Sequence, residues 1–191
     1  MANGNMNKKK VFGIGWGKTG TKTLAKSLQI LGYSHSSLNM NLVSELINKQ
    51  EDQAFEIASQ QESFDDLPWN ILYKELDRRF PGSKFILTIR EERPWLNSYR
   101  NMVSNHGDDN PLRNKVRQFL YGKNYKNLSD NELIDIYNNH NLKVLEYFNE
   151  RENDLLVVNW QKGSGWAELC EFLDVEIPRV ALPHMNKGRY S

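Results

Sequence analysis

The segment VFGIGWGKTGTKTLAKSLQILGY, from Val11 to Tyr33, holds the residue types that bind phosphate. It reads as a short apolar strand, Val11 to Gly15, then a glycine turn with Lys and hydroxyl side chains, then a helix. Leu24, Leu28 and Leu31 are spaced for one helix face, and Gly32 stops it. A helix N-terminus behind a glycine turn presents unpaired N–H groups and the positive end of a dipole to an anion. Thr19, Gly20, Thr21 and Lys22 are expected to supply those amides, and Lys18 adds a full positive charge. The plain alternative is an ordinary strand-to-helix turn with solvated Lys and Thr.

Three phosphate ligands compete for such a loop. A magnesium nucleotide calls for G-x-x-x-x-G-K-[ST]. Gly17, Lys18 and Thr19 fit the end of that pattern, but Phe12 stands where the first glycine belongs. A magnesium-holding Asp at the end of a second core strand is also missing: FILTI runs into Arg90 and LLVV into Asn159. A cation at a strand end suits an anion and opposes a metal, so no metal site is expected. A dinucleotide calls for G-x-G-x-x-G, which Gly15, Gly17 and Gly20 satisfy, but the acid expected about 20 residues later is absent from SHSSLNM. The third option is a nucleotide with two phosphate groups held by Lys and Arg. It needs two cationic sites: Lys18 with its loop, and Arg90 with Lys187 and Arg189. Arginine suits a terminal phosphate because it donates two parallel hydrogen bonds. The competing use of Arg90 is a surface salt bridge to Glu91 or Glu92.

These segments resemble the sulfotransferases that use PAPS (3′-phosphoadenosine 5′-phosphosulfate). GKTGTKTL, Gly17 to Leu24, is similar to their 5′-phosphosulfate loop. TIREERPWLNS places Arg90 and Ser98 at the spacing of the family's 3′-phosphate pair. NKGRY, with Lys187, Gly188 and Arg189, is similar to the Lys/Arg-Gly loop that closes over that phosphate, and FPGSKFILTIRE followed by Trp and Ser is typical of the smaller members. The resemblance implies a P-loop-like three-layer α/β fold and PAPS as donor, with PAP (3′,5′-adenosine diphosphate) as product. It implies transfer to a hydroxyl or amine of a small-molecule or carbohydrate acceptor, without metal. Gly17, Lys18, Thr19, Gly20, Thr21, Lys22, Thr23, Arg90, Ser98, Lys187, Gly188 and Arg189 would bind the nucleotide. Thr23 stands where cytosolic members often carry a Trp that stacks on adenine, which points toward the bacterial or carbohydrate-type branches.

Sulfuryl transfer needs in-line geometry, a stabilised leaving oxygen and a base for the attacking group. Lys18 is the candidate for neutralising the leaving phosphate. The family's base follows the second strand, and the matching stretch is FDDLPW, so by resemblance Asp66 is the candidate base. Neighbouring strand residues face opposite sides, so only one of Asp65 and Asp66 should enter the site, leaving the other to cap the next helix. Asp65 stays open as the alternative. His35 is weighed as an acceptor-pocket residue against a solvated loop histidine, and Trp69 and Trp95 as pocket rim against core.

The elements that must position these groups alternate. After the first strand and helix come a weaker helix over 42–58, a short strand in ESFDDLPW and a helix over 69–80 opened by Pro68. KFILTIRE follows as a strand buried on both faces, then helices over 94–103, 112–121 and 130–150, a buried strand in DLLVVNW and a last helix in GWAELCEFLDV. Such alternation predicts a central parallel sheet with helices on both faces and ligands at the carboxyl ends of the strands. The 191 residues suffice for one domain over 11–191 behind a flexible lead, 1–10. The acceptor pocket is expected from the least patterned segments, 34–60 and 101–127. A net charge of +1, from 25 Lys and Arg against 24 Asp and Glu, argues against a nucleic-acid coat protein. The single cysteine, Cys170, allows no intrachain disulfide. No apolar run is long enough to span a membrane, and a cytoplasmic location is expected. Two other readings remain open: a kinase or hydrolase with a degenerate P-loop, and a nucleotide-binding domain without catalysis.

Overall fold

The computed structural model describes residues 8–106, 110–123 and 125–185. The strands are β1 (Val11–Gly13), β2 (His35–Ser36), β3 (Ser63–Phe64), β4 (Lys84–Thr88) and β5 (Leu155–Val158). All pair in parallel, in the order β2-β3-β1-β4-β5. The helices are α1 (Thr21–Ile30), α2 (Met40–Ile47), α3 (Asp52–Gln60), α4 (Tyr73–Arg79), α5 (Glu92–His106), α6 (Pro111–Tyr121), α7 (Asp130–Tyr147) and α8 (Trp166–Leu173). This is the expected three-layer α/β arrangement.

The two-residue period of the strands sorts the core. Phe12 and Ile14 from the β1 segment and Phe85 and Leu87 from β4 join Leu42, Phe55, Leu76 and Phe148 on one face of the sheet. Val11 and Ile86 point the other way, to Leu24 and Leu28 of α1 and Leu169 and Leu173 of α8. Both central strands are therefore apolar on both sides, because helices cover both. A third cluster, Trp16, Trp95, Tyr99, Leu133 and Tyr137, packs α5 and α7 together with the loop after β1. Within it Trp95 stacks on Tyr137, with ring centres 4.4 Å apart.

Several boundaries differ from expectation for local reasons. The helix expected over 42–58 is two helices, because Lys49 adopts a left-handed φ of 62° and ends α2. The helix expected from residue 69 begins at Tyr73, after a turn in which the amide of Asn70 donates to the Asp66 carbonyl at 3.1 Å. The short strand β2 carries no apolar alternation that would announce it. β5 is not buried as expected: it pairs with β4 alone, Val157 is exposed and only Val158 is buried. At the start of the chain, Lys8 donates to the Gly32 carbonyl and Lys10 to the Gln61 carbonyl, each at 2.7 Å.

Because all strands run the same way, the segments after β1, β3, β4 and β5 emerge at one edge. The close approach of two of them depends on Gly15. A Cβ there would overlap the Thr88 hydroxyl and lie 2.8 Å from its backbone nitrogen. Gly15→Ala is therefore expected to destabilise the protein by about 1–3 kcal/mol through overpacking, read as a lower urea midpoint. An unchanged midpoint would show that the two segments do not meet this closely.

Candidate functional site

The loop from Ile14 to Gly20 is held by its carbonyls. His140 Nε2 donates to the Ile14 carbonyl at 2.7 Å and Asn70 Nδ2 to the Gly15 carbonyl at 3.4 Å. Thr19 Oγ1 donates to the Trp16 carbonyl at 2.6 Å, and Trp95 Nε1 to the Gly17 carbonyl at 2.9 Å. Thr19 Oγ1 also shares a 2.6 Å hydrogen bond with Thr88 Oγ1. The donors come from α7, the turn before α4, the loop itself and α5. The amides of residues 18–22 have no backbone acceptor among the described residues. Gly20 caps α1 without a side-chain hydrogen bond and lies at φ 98°, where a Cβ would strike the Trp160 ring. The first turn of α1 thus stays open, as an anion site requires.

A cavity of about 400 Å³ lies in front of this turn. Gly17, Lys18, Gly20, Thr21, Lys22, Asp66, Arg90 and Ser98 all line it. The structure thus brings together most of the residues that the sequence singled out. Burial and the nearby charges of Lys22 and Arg90 lower the Lys18 pKa, while Asp66 opposes them. Lys18 thus feels the charges of Lys22, Arg90 and Asp66. Arg90 sits just beyond β4. Its amide donates to the Tyr137 hydroxyl at 2.9 Å, and that hydroxyl lies 2.8 Å from the Arg90 carbonyl. Its Nε donates to Gln161 Oε1 at 3.3 Å. Neither Glu91 nor Glu92 forms an ion pair with it among the described residues: Glu91 pairs with Lys162 at 2.6 Å, and Glu92 accepts from Asn138.

The adjacent carboxylates part as the strand geometry requires. Asp65 turns into the protein, 1% exposed, and its Oδ1 lies 3.1 Å from His35 Nε2. His35 Nδ1 is 2.8 Å from Ser63 Oγ. His35 is therefore a buried partner of Asp65 and does not line the cavity, contrary to its reading as an acceptor-pocket residue. Asp66 turns outward into the cavity with a left-handed φ of 63°, and its Oδ1 accepts from the Leu67 amide at 2.9 Å. Burial, then the charge of Asp65, raises its pKa to about 6 against the pull of the Leu67 amide, Lys18 and Lys22.

Other expectations fall outside the cavity. Thr19 and Thr23 are buried away from it: Thr19 ties the loop to β4, and Thr23 Oγ1 accepts from the Met185 amide at 3.4 Å. Trp69 and Trp95 are core residues, not rim. Lys187, Gly188 and Arg189 lie outside the described residues; Met185, shortly before them, lines the cavity. The two segments assigned to the acceptor pocket both contribute to the cavity: Leu38 and Met40, then Met102, Arg113, Val116, Arg117, Leu120 and Tyr121. Sequence reasoning missed Trp16, Tyr99 and Asn70 on the cavity wall and His140 behind the loop. Their only signal is polar or aromatic identity, which most core residues share.

Comparison with known proteins fits this geometry. A family model described as "Sulfotransferase domain" matches residues 10–190. The chain belongs to the sulfotransferase domain family. A curated relative, "Ava biosynthesis cluster protein M" of Aspergillus versicolor, is 24% identical over 149 residues, which cover 68% of this chain and 56% of the relative. The chain thus matches little more than half the length of that relative. Membership supports sulfuryl transfer as the general activity of this sulfotransferase domain. No helix among the described residues is long and apolar enough to cross a membrane.

The raised pKa of Asp66 gives a test of the site's electrostatics. A carboxyl whose folded pKa lies above its ordinary value of 3.8 destabilises the fold once ionised. That cost is absent at low pH, where both states are protonated, and complete above about 6. Asp66→Asn should therefore stabilise the sulfotransferase domain at pH 7, with the gain shrinking as pH falls toward 4. Urea unfolding at several pH values checks this, and a gain that grows toward low pH would contradict it.

Proposed function

We propose that this sulfotransferase domain uses PAPS and transfers its sulfuryl group to a hydroxyl or amine of a small-molecule acceptor. The observation that carries the reading is the meeting of Lys18, Lys22, Arg90, Ser98 and Asp66 on one cavity at the carboxyl edge of the sheet. The residues suit a nucleotide with two phosphates. The open first turn of α1, with Lys18 and Lys22, offers one anion site. Arg90 and Ser98 offer a second, with the Arg90 backbone fixed by Tyr137. Lys187, Gly188 and Arg189 are assigned to the second site on the family resemblance.

When bound, the nucleotide supplies an activated sulfuryl group. Lys18 holds its ammonium beside the amides of the loop, where charge on a departing phosphate oxygen is stabilised. Thr21 and Lys22 orient that phosphate from the first turn of α1. Asp66 takes the proton of the attacking hydroxyl or amine. With a pKa of about 6 it is mostly ionised at pH 7 and a stronger base than an ordinary Asp. Arg90 and Ser98 bind the remote phosphate and so fix the position of the reacting end. Thr19 and Thr23 support the loop from behind and do not touch the ligand in this reading.

Calorimetric titration with 3′,5′-ADP, with and without magnesium, tests the donor class. Binding independent of magnesium is expected, and Arg90→Ala should weaken it roughly tenfold to a hundredfold, the worth of hydrogen bonds to a charged group. Asp66→Asn should leave that binding intact and lower sulfuryl transfer by about 10²–10⁴. Magnesium-dependent ATP binding with no 3′,5′-ADP binding would favour a degenerate kinase or hydrolase instead. Nucleotide binding with no transfer to any acceptor in a hydroxyl and amine library would favour a non-catalytic domain.

A further inference from the structure

The lining of the cavity holds two sets of residues. One is charged: Lys18, Lys22 and Arg90, then Arg113 and Arg117 of α6, with Asp66 as the one acid among the described residues. Arg113 and Arg117 also engage other residues. The other set is apolar. Trp16, Tyr99 and Val116 are its buried members, whereas Leu38 and Met185 are 51% and 47% exposed. Exposed apolar side chains on a cavity gain burial when an apolar ligand covers them. The polar atoms on this wall turn to one another: Trp16 Nε1 donates to Tyr121 OH at 2.9 Å, and Tyr121 and Tyr99 hydrogen-bond each other. A sugar laid on such a wall gives up water at each hydroxyl for few partners in return.

The charged set bears on the nucleophile. A cationic acceptor would enter among Lys18, Lys22 and Arg90 with Asp66 as its one counter-charge, and like charges brought together out of water repel. An alkylamine is such a cation at pH 7, since an ordinary amine has a pKa of about 10.4. It has no lone pair for sulfur until its proton leaves, and Asp66, at about 6, is too weak a base to remove it. A hydroxyl meets neither obstacle. Taking the sulfotransferase reading as its basis, we infer that the acceptor is an uncharged, mainly apolar alcohol or phenol, selected by the wall against sugars and by the basic cluster against alkylamines. Its oxygen bonds to sulfur as the bond from sulfur to the phosphate oxygen of the nucleotide breaks, and the hydroxyl proton passes to Asp66. The acceptor class is thereby narrowed from hydroxyl or amine to hydroxyl.

Two probes of one shape test this, 2-(2-naphthyl)ethanol and 2-(2-naphthyl)ethylamine. Each is titrated calorimetrically at pH 7 into the whole chain without nucleotide, where no phosphate offsets the basic cluster. The alcohol should bind about tenfold or more tightly than the amine, and methyl glucoside should not displace it. Leu38→Ser, at an exposed position, should weaken the alcohol about threefold and leave 3′,5′-ADP binding within about twofold. Equal or tighter binding of the amine overturns the inference without recourse to any variant, as does displacement by the glucoside or failure of the alcohol to bind. An alcohol affinity unchanged by Leu38→Ser overturns the place assigned to the apolar body. Binding of 3′,5′-ADP is read in separate samples. Its absence overturns the nucleotide reading and not the preference for alcohol; its presence with no such preference does the reverse.

Discussion

The carbonyls of Ile14, Gly15, Trp16 and Gly17 each accept a hydrogen bond from a side chain, and the donors come from four places in the chain. A peptide unit carries its donor and acceptor on opposite sides. Fixing the carbonyls of a tight loop therefore constrains where its amides can point. The amides of residues 18–22 are left without backbone acceptors among the described residues, beside the uncapped first turn of α1. Packing and binding are linked through these bonds. Trp95 and Tyr137 are core residues, yet one holds the Gly17 carbonyl and the other holds the backbone of Arg90. Rings stacked 4.4 Å apart thus tie the first cationic site to the second.

The charges follow from that scaffold. Lys22 and Arg90 both act on Lys18 in a partly buried cavity, and desolvation lowers the pKa of both Lys18 and Arg90. Like charges gathered out of water oppose folding unless an anion compensates them. Asp66 compensates in part. Arg90 does not spend its charge on the neighbouring Glu91 or Glu92, which pair with Lys162 and Asn138. A site with unspent positive charge, open amides and an incomplete internal counter-charge is arranged for a multiply anionic ligand.

Much of the sheet was legible, because its signals are steric and hydrophobic. The run Phe85 to Leu87 could only be a strand covered on both faces, and the glycines before Lys18 could only be a tight turn. The cationic cluster was legible because Arg90 ends a core strand, where a charge needs a reason. The wall of the cavity was much less so. Trp16 and Tyr99 owe their place to the packing of α5 and α6 against the loop, and Asn70 to its reach from the turn before α4 to the Gly15 carbonyl, which no short-range pattern encodes. The same blindness made β5 look buried. Four apolar residues in a row do not say whether a strand has one neighbour or two. Thr19 and Thr23 looked like ligands because they sit in the motif. Their hydroxyls turn inward because the loop's own carbonyl and the Met185 amide claim them.

Asp65 and Asp66 show how one dipeptide takes two roles. Both are aspartates at the end of β3, so nothing in their chemistry separates them. The pleat sends Asp65 inward to His35, whose other ring nitrogen is held by Ser63 Oγ. Asp66 is sent the other way, into a left-handed backbone that β-branched residues avoid and Asp tolerates. The inward carboxylate then acts on the outward one, since its charge is the second cause of the raised Asp66 pKa after burial. Replacing Asp65 by a neutral residue would remove that push and leave His35 with Ser63 alone, so the inner carboxylate acts on its neighbour as well as anchoring the strand. The doubled acid is in this sense one electrostatic unit, in which the buried half adds to the effect of burial on the half that faces the cavity.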